Sequence, residues 1–293
     1  MEAHKEITIN RIVAKIKYPM KFHHLFQNNK KRKALFTISI IIVMLLFYVQ
    51  TSVGQSIMPG TETDKDWNFV VAPYLWFSGL DGQLAIGRLE TDISADFSDI
   101  FSNLNMAFML YGEVRYKKIG LAVDFLTLKM SLEGIRPIIG GAVEVDQNMK
   151  YLETTLLYSL IHNEKWSADL HAGIRSWWLD TKLEAERLIA DENRIVESDI
   201  SWVDPIIGAK AIFLPHKKWP INARVDIGGF GAGSEFTWQF LVGGGYKFAK
   251  SWTVLLQYRF IGVDYRTGTA GTPGYFKLDT TMSGPLLGFM ATF

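Results

Sequence analysis

Cysteine is absent from this 293-residue chain, which excludes a disulfide framework, a thiolate metal site and a cysteine nucleophile. It also excludes attachment through a lipidated N-terminal cysteine, so any hold on a membrane must come from the fold itself. Histidine is scarce: six in all, of which only His162, His171 and His216 lie beyond residue 54. No HExxH, no GxSxG elbow and no glycine-rich phosphate loop occurs. Beyond residue 54 no apolar run approaches the roughly 20 residues that a spanning helix needs. Charge of one sign is not concentrated there either, so nucleic acid is not an expected partner.

What is present begins with an address. Lys30, Lys31, Arg32 and Lys33 precede ALFTISIIIVMLLFYV, an uncharged stretch from Ala34 to Val49, followed by TSVGQS. A basic region, an apolar region and small residues at Ser52 and Gly54 predict a secretory signal cleaved after Gly54. An uncleaved anchor is the alternative, for which the stretch is short. The tail before it is long for a signal, and Met20, followed by Lys21, is an alternative start. Residues 1–54 hold 9 of the 31 Lys and Arg but 2 of the 30 Asp and Glu, leaving 22 against 28 and a net charge of −6 for the exported part.

The exported part alternates at period two between short turn clusters, the pattern of a sheet protein. In SEFTWQFLVGGGYKF, Phe236, Trp238, Phe240, Val242, Tyr246 and Phe248 oppose Glu235, Thr237, Gln239, Gly243, Gly245 and Lys247. In WSADLHAGIRSWW, Trp166, Ala168, Leu170, Ala172 and Ile174 oppose Ser167, Asp169, His171, Gly173 and Arg175. A soluble sandwich or lipocalin-like barrel would bury the apolar face; a membrane barrel would turn it to lipid. Three features favour the membrane. These are the export signal, the aromatics at strand ends (Trp166, Trp177, Trp178, Trp202, Trp238, Trp252, Tyr258), where interfacial girdles sit, and a polar face that mixes glycines with isolated charges of both signs.

Turns supply the strand count. Short ones are expected at 117–120, 162–165, 216–219 and 249–252, longer connections around 133–141, 186–197 and 267–275, and a tight GFGAG turn at 229–233. Counting back from Phe293 gives nine strands to Met106. WNFVVAPYLWF supplies a tenth running outward, so the parity of an even-stranded barrel closes. The expected architecture is an all-β, antiparallel, up-and-down transmembrane barrel of about ten strands, within a range of eight to twelve. Its divisions are a leader over 1–54, a short periplasmic lead over 55–66 and the barrel over 67–293. Residues 78–105 are expected outside the barrel or in its mouth. They comprise a small hairpin over SGLDGQLAIGRLETDISADF and a helical turn at FSDIFSNLN capped by Ser98 or Asp99.

The final GPLLGFMATF alternates too, with Pro285, Leu287, Phe289, Ala291 and Phe293 on one face. It resembles the ending by which Gram-negative outer-membrane barrels are recognised for insertion, which implies that Phe293 is an assembly signal and that the barrel-assembly machinery is a partner. PYLWFSGLDG, FSDIFSNL, GEVRYKKIGLAVDFLTLKMSL and GPLLGFMATF together resemble an uncharacterised family of exported bacterial proteins treated as outer-membrane barrels. That resemblance covers most of the exported chain and implies the bacterial outer membrane as location, with no reaction attached.

The candidate site is the lumen. Inward faces are expected to carry Glu113, Asp124, Glu153, Asp169, Asp204 and Asp226 against Arg115, Arg175, Lys210, Arg224, Lys247 and Arg259. His171 is expected beside Asp169 and Arg175. Equal numbers of opposite sign suggest mutual pairing, where a selective pore would carry rings of one sign. The expected network is therefore Glu113, Arg115, Glu153, Asp169, His171, Arg175, Arg224, Asp226 and Arg259. The expected function is that of a non-catalytic barrel with a narrow or plugged polar lumen, porin-like toward small polar solutes. A structural or surface-interaction barrel is the alternative, and a lipid- or peptide-hydrolysing enzyme built on His171 ranks lower. Outer-membrane lipid is the expected surround, and no metal or cofactor is expected.

Overall fold

The computed structural model describes residues 66–87, 89–135, 143–185, 194–272 and 274–293. The leader expected over 1–54, all but the last residue of the 55–66 lead, and parts of the connections around 133–141 and 186–197 lie outside the described residues. In chain order the elements are β1 (Trp67–Trp76), β2 (Gly79–Ile86), β3 (Leu89–Ala95), α1 (Phe97–Ser102), β4 (Leu104–Tyr116), β5 (Ile119–Ile135), β6 (Val143–His162), β7 (Trp166–Ala185), β8 (Arg194–His216), β9 (Trp219–Gly229), β10 (Phe236–Lys247), β11 (Trp252–Thr267) and β12 (Phe276–Thr292).

All twelve strands belong to one sheet of antiparallel neighbours, and β1 pairs with β12 to close it. Closure removes the edges that an open sheet would leave unpaired. The seam register runs from Val70 opposite Thr292 to Trp76 opposite Leu286. It is extended by Phe69 and Phe293, whose main chains exchange hydrogen bonds at 3.1 and 2.9 Å. The barrel itself has ten strands, with β2 and β3 as an added hairpin. β2 continues along β12 where β1 leaves off, Gly79 opposite Ser283 to Ile86 opposite Phe276. Between them Phe77 N–H donates to the Pro285 carbonyl at 2.8 Å.

The hairpin expected over 78–97 therefore forms, and at the barrel mouth it raises the wall. The helical turn also forms, but its N-cap is Asp96, two residues before Ser98 and three before Asp99. The Asp99 carboxylate instead accepts the Asp96 N–H at 3.3 Å, the reciprocal half of a capping box.

Outside and inside have opposite chemistry. Leu256, Leu156 and Ile119 are exposed on the outer wall at 64%, 62% and 60%, whereas the inward-facing Gln239 and Arg175 are at 1% and 0%. An apolar exterior this extensive is stable only against lipid, so the barrel is a membrane-spanning one. Aromatic pairs on neighbouring strands ring the end that carries the short turns. Trp67 meets Tyr116 at 4.9 Å, Trp166 meets Phe213 at 4.4 Å and Trp219 meets Tyr246 at 4.8 Å. On β10, Tyr246 at this ring and Phe236 both face outward. At a rise of about 3.3 Å per residue and a tilt of about 40°, their separation spans roughly 25 Å of membrane normal, the height of an outer-membrane apolar band. Above it the outer wall turns polar: Asn105 donates to Ser131, Ser131 to Asp146 and Asn148 to Asp180. A closed, even-stranded barrel with this band belongs in the bacterial outer membrane, its short turns toward the periplasm.

Candidate functional site in the barrel lumen

Alternation sends one side chain in two into the lumen, and with ten strands those side chains meet across it. They form three connected groups. In the first, Arg115 (β4) takes Glu113 at 2.8 Å and Asp169 (β7) at 2.7 Å, and Lys210 (β8) reaches the same two carboxylates at 2.5 and 3.6 Å. Tyr111 donates to Glu113 at 2.6 Å.

In the second, Arg175 (β7) bridges Glu153 (β6) at 2.7 Å and Asp226 (β9) at 2.5 Å, and donates to Thr237 at 3.1 Å. Arg224 (β9) pairs with Glu153 and, at 3.2 Å, with Asp226. His171 Nε2 lies 3.6 Å from Asp226 and 3.3 Å from Arg224.

In the third, Arg259 (β11) meets Asp124 (β5) at 2.9 Å and donates to Gln239 (β10), Tyr74 (β1) and Tyr151 (β6) at 2.6, 3.1 and 3.0 Å. Tyr151 in turn donates to Glu153 at 2.6 Å, which joins the third group to the second.

All nine residues expected as a network, Glu113, Arg115, Glu153, Asp169, His171, Arg175, Arg224, Asp226 and Arg259, thus face inward and touch another member or a shared partner. Two of the expected pairings differ. Asp204 has no ion-pair partner among the described residues: its carboxylate accepts from Trp202 Nε1 at 2.9 Å and from Ser234 N–H and Oγ at 2.6 and 2.8 Å. It therefore ties the β9–β10 turn to β8. That turn is tight because Gly229, Phe230 and Gly231 all have positive φ, a conformation that costs glycine little. Lys247 has no ion-pair partner among the described residues. His171 shares the inward face of β7 with Asp169 and Arg175 and makes its polar contacts with Asp226 and Arg224.

Toward the outer end the filling becomes aromatic. Tyr151 packs edge-on against Trp177 at 4.9 Å, Trp177 stacks on Trp202 at 5.9 Å, and Trp202 stacks on Tyr265 at 4.1 Å. Trp177 and Trp202 are exposed by only 2% and 6%, so they are lumen residues and not girdle residues as the sequence pattern suggested. In WW, alternation admits only one of Trp177 and Trp178 to the outer face, and register gives it to Trp178. Trp202 reaches Tyr265 because β9 and β10 end early, leaving β8 and β11 facing each other above their turn. Arg259 lies 5.1 Å from the Trp76 ring and 5.3 Å from that of Tyr151, so polar and aromatic layers interlock.

The charged groups at the centre of the lumen are paired and closely packed. His171 is buried, and its nearest carboxylate, Asp226, is committed to Arg175, Arg224 and Gln239. His162 and His216 lie at the short turns and are exposed. No group of three or more metal-ligating side chains occurs among the described residues.

No protein-family model matches the chain, and no curated protein matches its sequence. Solved structures similar in shape are bacterial outer-membrane barrels. The outer membrane protease OmpT of Escherichia coli is 9% identical, with 80% of this chain and 99% of that one covered at a TM-score of 0.49. The translocator domain of the autotransporter NalP of Neisseria meningitidis is 10% identical, covering 88% and 97% at 0.40. The transport unit of the autotransporter AIDA-I of Escherichia coli is 8% identical, covering 91% and 100% at 0.43. The activities in those names belong to those proteins.

Proposed function

We propose that this protein is a non-catalytic, closed outer-membrane barrel whose lumen serves as an internal scaffold and not as a free passage. The observation that carries this reading is the set of charge pairs between strands that are not neighbours: Arg259 with Asp124, Lys210 with Glu113, Arg115 with Asp169 and Arg224 with Glu153. Each crosses the space that a solute would use. A buried ion is held only while its partner is in place, so a passing solute would have to break several pairs at once. The Trp202–Tyr265 stack closes the outer end of the same path. Small polar solutes are therefore poor cargo for the resting barrel, and its exposed rim is the part available for contact outside the cell. The motifs PYLWFSGLDG, FSDIFSNL and GPLLGFMATF support membership in the family of exported barrels that they resemble.

The test is single-channel recording on the refolded exported chain in a planar bilayer. The expected record is flat or shows only small, brief steps. A large, sustained conductance would establish an open porin and defeat the closed-lumen reading.

A further inference from the structure

Below the ion-pair layer, in the half of the lumen nearest the short turns, lies a cavity of about 160 Å³. Its position follows from its lining: Pro220 is the second residue of β9, and Met290 and Thr292 end β12. The walls are apolar, built by Val70, Ile212, Leu241, Leu255, Leu286 and Met290. The polar boundary is built by the lower faces of the charge groups, and there the two signs are not equally presented. Lys210 and Arg224 show 15% and 13% of their side chains, while their partners Glu113, Asp169, Glu153 and Asp226 show 2%, 2%, 1% and 0%. Glu113 lines the cavity as well, but in these two groups the cations present more of their side chains than the carboxylates do. The third group is reversed, since Asp124 shows 8% against 2% for Arg259, but that carboxylate is covered by the Tyr74 hydroxyl at 2.6 Å.

Two amides at this boundary are unspent. Gln257 is exposed by 8%, lines the cavity and has no hydrogen-bond partner among the described residues. Asn222 lines it as well, and its Oδ1 has none either. A buried polar group without a partner is costly, so a ligand that bonds these amides is favoured.

We infer that this cavity is a binding site for a small amphipathic monocarboxylate, with its apolar body against Leu241, Leu255 and Leu286 and its carboxylate toward Lys210, Arg224 and the Gln257 amide. Size supports the body: an apolar cavity of about 150 Å³ accepts a benzene ring. Charge supports the head, because the exposed ammonium and guanidinium donors complement a carboxylate and the Gln257 N–H₂ adds a neutral donor. A larger molecule would have to displace the ion pairs above, so the site selects bodies of about ring size. It makes the periplasmic half of the barrel a receptor pocket beneath a closed lid, which goes beyond the closed-lumen reading and does not depend on conductance.

The experiment titrates 4-fluorobenzoate, followed by fluorine NMR, into the full barrel in lipid nanodiscs, with empty nanodiscs subtracted and 4-fluorobenzyl alcohol as the uncharged comparison. Saturable binding with a dissociation constant on the order of 1 mM or tighter is expected. Leu241→Trp, which fills the cavity, should weaken it at least tenfold. Leu255→Trp does the same from the neighbouring strand, should Leu241→Trp fail to give a heat-modifiable barrel. Lys210→Met should weaken the carboxylate at least fivefold more than the alcohol. Absence of saturation, or saturation untouched by both cavity-filling variants, would overturn the site. Equal affinity for acid and alcohol in the wild type would overturn the anionic head.

Discussion

Arg259 on β11 donates to Tyr151 on β6 at 3.0 Å, a contact between strands on opposite sides of the ten-strand ring. No sheet hydrogen bond connects these two strands, so the guanidinium acts as a strut across the lumen. The same group holds Asp124 at 2.9 Å and Gln239 at 2.6 Å. Replacing Arg259 by Ala leaves Asp124 buried with only Tyr74 as partner, and breaking a buried pair in this way costs about 3–5 kcal/mol. Urea unfolding of the refolded barrel in lipid should shift by that amount; a shift under about 1 kcal/mol would mean that water replaces the strut at little cost.

Opening the lumen needs more than one strut removed. Arg175 and Arg224 share Glu153 and Asp226, so the double change to Ala strips both carboxylates of their cations. Ion conductance in a planar bilayer should rise above the wild-type record, and cation selectivity should appear because Glu153 and Asp226 remain. Anion selectivity in the double variant would show that the path runs past Lys210 and Arg259 instead.

Facing determines the cost of a new charge. Leu256→Arg and Val242→Arg put a guanidinium on the lipid face, which should cost about 2–4 kcal/mol or block insertion. Gln257→Arg points into the periplasmic cavity and should be mild. Gln239→Arg should not be mild, although it faces inward, because Gln239 accepts from Arg259 and is exposed by 1%. Folded yield on a heat-modifiability gel ranks the four variants, and equal yields would refute the facing assignment.

Asp204 sets the β9–β10 turn through Ser234. Asp204→Ala removes acceptors from one backbone N–H, one hydroxyl and one indole, each worth about 1–3 kcal/mol when left buried and unpaired. Protease added from outside should then cut within 230–235, where the wild type resists. Asp204→Asn keeps one acceptor and should fall between the two.

Phe293 offers a way to separate a main-chain role from an aromatic one. Phe293→Ala keeps both hydrogen bonds to Phe69, and deletion of Phe293 removes them. If the ring is the assembly signal that its position suggests, both variants should lower the heat-modifiable fraction in the outer membrane, and Thr292→Ala should not. A normal yield from Phe293→Ala would assign the whole effect to the seam.

Period-two alternation was enough to find the strands and their two faces, and the leader, the strand-end aromatics and the mixed polar face pointed to a membrane barrel, in which the two faces of each strand meet different solvents. That is why the outward set from Trp166 to Ile174, the inward charges and the parity of ten strands could be read from the chain alone. Alternation is blind to what lies across the lumen. It could not say that Trp177 and Trp202 turn inward to stack, since an aromatic at a strand end suits a girdle and a plug equally well. Nor could it pair Arg259 with Asp124 or give Asp204 to Ser234, because those contacts depend on shear and on how far β9 and β10 rise, which are properties of the closed ring. The strand faces follow from local chemistry; the closed lumen and the cavity beneath it follow from which residues the closure brings within 3 Å of one another.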